Sequence, residues 1–168
     1  MHKIGDMILY GASGVMTVVD IREESVGDTP RRYYVLRPSL VRSESLTFVP
    51  IDNERLISLM LPLLTKEEIN ALLKEAKSIS PIEWIPSNRP RADAFKKIIE
   101  SGDRRQMIAM IRAIDENAKG REAEGKKNFI TDENAKQKAL KLLYSEISVV
   151  LDIPEEDAIN IVKPYLTR

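Results

Sequence analysis

The residues with the most distinctive chemistry lie in one short stretch, 81–91, reading Pro-Ile-Glu-Trp-Ile-Pro-Ser-Asn-Arg-Pro-Arg. It holds the chain's one tryptophan, Trp84, fenced by Pro81, Pro86 and Pro90 and followed by Arg89 and Arg91. Proline has no N–H to donate and biases the preceding residue towards extended backbone, so the stretch does not read as a helix interior. A large apolar ring on a stiff segment beside cations suits insertion into a partner, and a wedge between stacked bases is one such use. The competing reading places Trp84 as a plug in a helical core, since tryptophan is highly buried on average.

Other chemistry is sparse. There is no cysteine, which removes disulfides, thiolate metal sites and a cysteine nucleophile. The one histidine, His2, stands at the N-terminus, which leaves no histidine triad and none of the usual zinc constellations. The carboxylates fall at helix starts or among Lys and Arg, where capping and solvation explain them. Gly11-Ala12-Ser13-Gly14 lacks the Lys-Ser/Thr of a phosphate loop and leads into a strand, so it reads as a hairpin turn. The expectation is a protein that is not an enzyme and uses no metal and no cofactor.

Charge is divided along the chain. The formal net charge is zero. Residues 1–60 carry seven Lys and Arg against eight Asp and Glu, whereas residues 85–141 carry fourteen against nine. The basic excess therefore sits after Trp84, where a surface that tracks phosphates can form. No stretch approaches the roughly 20 apolar residues that span a bilayer, and no signal-peptide pattern opens the sequence. The expected location is cytoplasmic, with no membrane contact.

The elements that would position these residues fall into two regimes. Residues 7–10, 15–21, 33–36 and 46–50 are short β-patterned runs separated by Gly11–Gly14, Gly27-Asp28-Thr29-Pro30 and polar residues, the pattern of a small barrel or strongly bent sheet. Helices follow. Thr65 and Glu68 have capping-box spacing ahead of the stripe Ile69, Leu72, Leu73, Ala76. A second helix spans 92–101, with Pro90 in its first turn and Gly102 at its C-terminal cap. Asp103 caps a third, with core positions Met107, Met110, Ile111 and Ile114 and a basic stripe of Arg105, Arg112 and Lys119. Residues 120–129 read as a loop. Thr131 caps a fourth helix facing Leu140, Leu143, Tyr144, Ile147, Val150 and Leu151 inward. The last helix, opened by Pro154-Glu155-Glu156, buries Ala158, Ile161, Val162 and Tyr165, and Pro164 ends or kinks it.

Four motifs, in order, resemble the CarD/CdnL family of bacterial transcription regulators. They are Ile4-Gly5-Asp6-Met7-Ile8-Leu9-Tyr10 with Gly14-Val15; Tyr34-Val35-Leu36; Leu46-Thr47-Phe48-Val49-Pro50-Ile51-Asp52-Asn53; and the Trp84 segment followed by Ser101-Gly102-Asp103. The resemblance implies an α+β protein: a small Tudor/SH3-like β-barrel domain over 1–60 that binds the RNA polymerase β subunit, then a compact all-α domain of about five helices over 61–168 that binds promoter DNA. It further implies a monomer that is nucleoid-associated through RNA polymerase and stabilises the open complex at the upstream edge of the bubble. By position Trp84 would be the minor-groove wedge, with weak sequence preference, and Asn88, Arg89, Arg91, Lys96 and Lys97 the neighbouring DNA contacts. Phe48 stands where many members carry an arginine. The polymerase contact would then use a more apolar surface formed by Leu46 and Phe48, or Arg22 and Arg37 would supply its charge. The alternative is an adaptor that binds only proteins, in which the helices are a scaffold around Trp84.

Overall fold

Short β strands give way to helices with a 3.6-residue apolar period at about residue 64. The computed structural model describes residues 1–166 and divides there into two compact units, 1–63 and 64 onward.

The first unit contains strands β1 (Met7–Tyr10), β2 (Val15–Val26), β3 (Thr29–Pro38), β4 (Thr47–Pro50) and β5 (Met60–Pro62), with one helical turn, α1 (Glu54–Ile57), before the last. All pairings are antiparallel, in the order β4-β3-β2-β1-β5. The β1–β2 turn is a single 3-10 turn over Gly11–Ser13, closed by the Tyr10 amide donating to the Gly14 carbonyl at 2.9 Å. Gly14, at φ 84° and ψ −153°, occupies backbone space essentially reserved for glycine. The β2–β3 turn needs only Gly27 and Asp28, with Gly27 at φ 71°, as tight hairpins require. A bulge between Val18 and Asp20 bends β2. Inside the bend lie Ile8, Met16, Val18, Tyr34, Leu36, Val49 and Met60.

The β2–β3 ribbon runs well beyond the apolar segments that mark it in the sequence. Glu23 faces Arg32 and Glu24 faces Arg31 across the strands, so opposite charges rather than apolar burial accompany the pairing there.

The second unit is five helices: α2 (Lys66–Ala76), α3 (Asn88–Ser101), α4 (Arg104–Ala123), α5 (Ile130–Leu151) and α6 (Glu155–Leu166). The whole is the α+β architecture the sequence implies, a Tudor-like β unit followed by helices. The Thr65 hydroxyl accepts from the Glu68 amide at 3.1 Å while the Thr65 amide donates back to the Glu68 carboxylate at 2.7 Å, a complete capping box. Asp103 caps α4 by accepting from the Gln106 amide at 3.0 Å. Gly102 ends α3 in the left-handed region at φ 69°. Buried Met107, Met110, Ile111 and Ile114 form the α4 core stripe, as their spacing indicates.

Several boundaries and faces differ from the sequence reading. Helix α3 starts at Asn88, four residues before Ala92, because Pro90 falls within the first turn, where no N–H is needed. Helix α4 continues through Gly120 to Ala123, since its charged tail consists mostly of good helix formers. Thr131 lies inside α5, whose N-cap is Phe129. The buried face of α5 is rotated towards Ala139, Leu142, Leu143, Glu146 and Ile147, leaving Leu140, Tyr144, Val150 and Leu151 half-buried. Helix α6 passes Pro164, and its inner face is Ala158, Val162 and Leu166, with Ile161 exposed and Tyr165 half-buried. The expected basic stripe on α4 is broken, because Arg112 is buried and donates to the carbonyls of Ala76 and Tyr165. Glu146, also buried, accepts from the Leu64 amide at 2.9 Å and takes both Nε and Nη2 of Arg104, at 2.9 and 2.6 Å.

Candidate partner surface and tryptophan site

One face of the β unit gathers aromatic and cationic side chains. Residues opposite one another across strands share a face, so Asp20, Val35 and Phe48 form one row and Arg22, Tyr33 and Pro50 the next. Phe48 is 39% exposed and lies over fully buried Val35 in this register. Its ring meets Tyr33 edge-on with centroids 6.1 Å apart, and the Arg22 guanidinium sits 5.7 Å from its centroid. Asp20 and Glu24 flank Arg22 at 3.0 and 3.4 Å, which fixes the guanidinium and offsets much of its charge. Arg37 is exposed on the same face of β3, opposite Thr17, and Leu46 is exposed just before β4. The result is a patch with an aromatic centre, a held arginine and charged edges, and aromatic residues and arginine are enriched in protein-binding surfaces.

The tryptophan site is built around a residue the sequence reading assigned to phosphate. Arg91 is fully buried, with no exposed surface at all. On α3 the residues 91, 95 and 99 fall on one face, so Arg91 shares the inward stripe with Phe95 and Ile99. All three of its nitrogens donate. Nε donates to both Asp132 oxygens at 3.0 and 3.1 Å; Nη1 donates to the carbonyls of Ile85 and Pro86 at 2.9 and 3.0 Å; Nη2 donates to Asn88 Oδ1 at 2.8 Å and lies 3.0 Å from Asp132 Oδ2 in an ion pair. Trp84 lies against it with the guanidinium 4.5 Å from the ring centroid, and Phe129 at 4.9 Å. Arg121 then stacks on Phe129 at 3.9 Å while donating to the Lys127 carbonyl at 2.9 and 2.7 Å. Rings and guanidinium groups alternate through four layers: Trp84, Arg91, Phe129, Arg121.

Arg91 is therefore removed from the expected DNA contacts: a cation with no exposed surface, paired to Asp132 inside the fold, does not reach a phosphate. Trp84 is half-buried, neither a bare wedge nor a core plug, with Phe95 meeting its ring at 6.3 Å and 61°. Its backbone is pinned on both sides, by the Ile82 amide donating to the Ala109 carbonyl at 3.2 Å and by Arg91 holding the carbonyls of Ile85 and Pro86. Asn88 is exposed and joins the site through its carbonyl oxygen. Arg89, Lys96 and Lys97 are exposed on the outer side of α3, with Glu100 3.8 Å from Lys96. Phe129, Asp132 and Arg121 lie too far along the chain to be joined to Trp84 by spacing. The one sequence signal was the interval Arg91, Phe95, Ile99, which puts the arginine on an apolar stripe.

No group of three or more His, Cys, Asp or Glu among the described residues is arranged to hold a metal ion, and among them no helix is long and apolar enough to cross a membrane. No curated protein matches the chain. Residues 2–61 match the family model of the CarD-like/TRCF RID domain, a protein-interaction domain that engages RNA polymerase. That span covers all but the last residue of β5, so the likeness to this domain lies in the β unit.

Proposed function

We propose that this protein is a bacterial transcription regulator that binds the RNA polymerase β subunit through residues 1–63 and stabilises the promoter open complex through its helical unit. The match of residues 2–61 to an RNA polymerase-interacting domain carries the first half. The Phe48–Arg22–Tyr33 patch, with Leu46 and Arg37 around it, is the surface we assign to polymerase. The second half rests on Trp84, whose partly exposed ring is pre-ordered by Arg91 and Phe95 on a segment pinned at both ends. A pre-ordered ring loses little conformational freedom on inserting between base steps, and at a bubble edge unstacking is already partly accomplished. Asn88, Arg89, Lys96 and Lys97 would steady the minor groove and phosphates, with weak sequence preference. The protein acts as a cytoplasmic monomer that reaches the nucleoid on polymerase.

The test uses the full chain and a promoter whose open complex is short-lived. Wild type should lengthen the lifetime after competitor challenge, and Trp84→Ala should abolish the gain while still binding polymerase. Unchanged lengthening by Trp84→Ala sinks the wedge. One observation favours the adaptor reading instead: a tryptophan stacked on a buried arginine already has a structural occupation. In that case Trp84→Ala lowers the melting temperature, and wild type itself does not alter the open complex.

A further inference from the structure

We infer that Arg91 is a positioning residue for Trp84: its guanidinium, locked between the rings of Trp84 and Phe129, sets the pose in which the tryptophan meets DNA. This inference rests on the wedge reading proposed above. Three observations carry it. First, Arg91 has no exposed surface and donates from all three of its nitrogens within the fold, so its charge serves no external ligand. Second, those donors reach the two carbonyls that directly follow Trp84, those of Ile85 and Pro86, and so fix the backbone that carries the ring. Third, the guanidinium lies 4.5 Å from the Trp84 centroid and 4.9 Å from that of Phe129, so one planar cation braces the ring against the first turn of α5.

A planar guanidinium can stack on two rings while its edge donates five hydrogen bonds. An ammonium can do neither at once, so Arg91→Lys keeps the charge beside Asp132 and dismantles the brace. Arg121 extends the same stack outward from Phe129 and donates to the Lys127 carbonyl, which ties the α4–α5 loop to the tryptophan's pose. Trp84 then works as a rigid wedge because the bound guanidinium adds to the packing of Phe95 in immobilising the ring.

The chain supplies its own probe, because Trp84 is its one tryptophan. Intrinsic fluorescence anisotropy and acrylamide quenching therefore report on this ring alone. Arg91→Lys should lower the anisotropy and raise the quenching, with the helical circular dichroism retained. On polymerase it should shorten the open-complex lifetime by roughly two- to tenfold, the factor expected when one large side chain must be ordered on binding. Should Arg91→Lys fail to fold, Arg91→Met/Asp132→Leu removes both charges while keeping the volume and is read in the same two assays. The inference is overturned if the folded variant leaves quenching and anisotropy at wild-type values. It is equally overturned if they change but the lifetime does not, while Trp84→Ala shortens it. If Trp84→Ala itself leaves the lifetime unchanged, the wedge reading fails, and that outcome is distinct from a failure of Arg91 alone.

Discussion

Asp132→Ala is the sharpest perturbation of the helical unit. Asp132 is 4% exposed and answers three contacts from Arg91, two to Nε and one to Nη2, all between 3.0 and 3.1 Å. Removing it leaves a buried guanidinium with an uncompensated charge and an Nε donor without its acceptor. Breaking a buried pair in this way costs about 3–5 kcal/mol. In a helical unit of roughly 100 residues each kcal/mol moves the midpoint by about 4 °C, so a fall of about 12–20 °C is expected. Thermal and urea melts followed by far-ultraviolet circular dichroism measure it. The control is Arg91→Met/Asp132→Leu, which removes both charges and should melt much closer to wild type than either single substitution, because two apolar side chains of similar volume need no partner. The reasoning is refuted by a fall of less than about 4 °C for Asp132→Ala. A double variant as unstable as the sum of the singles refutes it too, since the cost would then lie in lost packing and not in the orphaned charge.

Other substitutions probe separate parts of the structure. Arg104→Ala strands the carboxylate of Glu146, 2% exposed, with the Leu64 amide as its remaining donor among the contacts described above; a loss of about 3 kcal/mol in urea melts is expected, and Glu146→Gln, which still accepts from that amide, should cost less. Gly102→Ala forces a side chain into φ 69° between α3 and α4 and should cost about 1–2 kcal/mol by the same measurement. Phe48→Ala removes a ring already 39% exposed, so the melting temperature should change little, while affinity for the polymerase β subunit, measured by biolayer interferometry on the full chain, should fall by about 30-fold or more if the ring is a central anchor. Equal affinity for the variant would move the polymerase contact off this face.

What could be read from the sequence follows from the range over which its signals act. Capping is local: Thr65 with Glu68, Asp103 with Gln106 and glycine at 102 all act within four residues, and all appear in the structure as their spacing indicates. Apolar periodicity reaches a few turns, so the stripes of α2 and α4 were legible while the charge-paired end of the β2–β3 ribbon, which has no such pattern, was not. The helical phase of α5 was misjudged because buried Glu146 and Ser148 read as polar face residues. Arg91 was misjudged for a related reason. Its burial depends on Asp132 and Phe129, about forty residues on; the interval Arg91, Phe95, Ile99 marks an inward face, but nothing local marks the partners that make an arginine tolerable there.

The loss of Arg91 from the outward cations changes how the helical unit would meet DNA. Arg112 is buried as well, so two of the fourteen basic residues over 85–141 lie inside the fold and add little surface attraction. Glu100 beside Lys96 reduces the remainder further. Each phosphate neutralised by a surface cation adds to affinity and to its salt dependence, so the helical unit alone should bind DNA weakly, with a shallow salt slope. Weak contact suffices for a protein already held on polymerase, because tethering supplies an effective concentration in the millimolar range for a short link. The two halves of the function therefore depend on each other. On the proposed reading, a β unit that held polymerase through an aromatic patch would allow the helical unit to spend an arginine on bracing Trp84 in place of gripping phosphate. Adding cations should reverse the dependence. Exchanging Asp93 and Glu100, which lie along α3 among Arg89, Lys96 and Lys97, for lysine should raise the affinity of the free protein for duplex DNA and steepen its salt dependence. The polymerase-bound open-complex lifetime should change far less. If it rises in proportion to free-DNA affinity, phosphate attraction limits the contact and the braced ring does not.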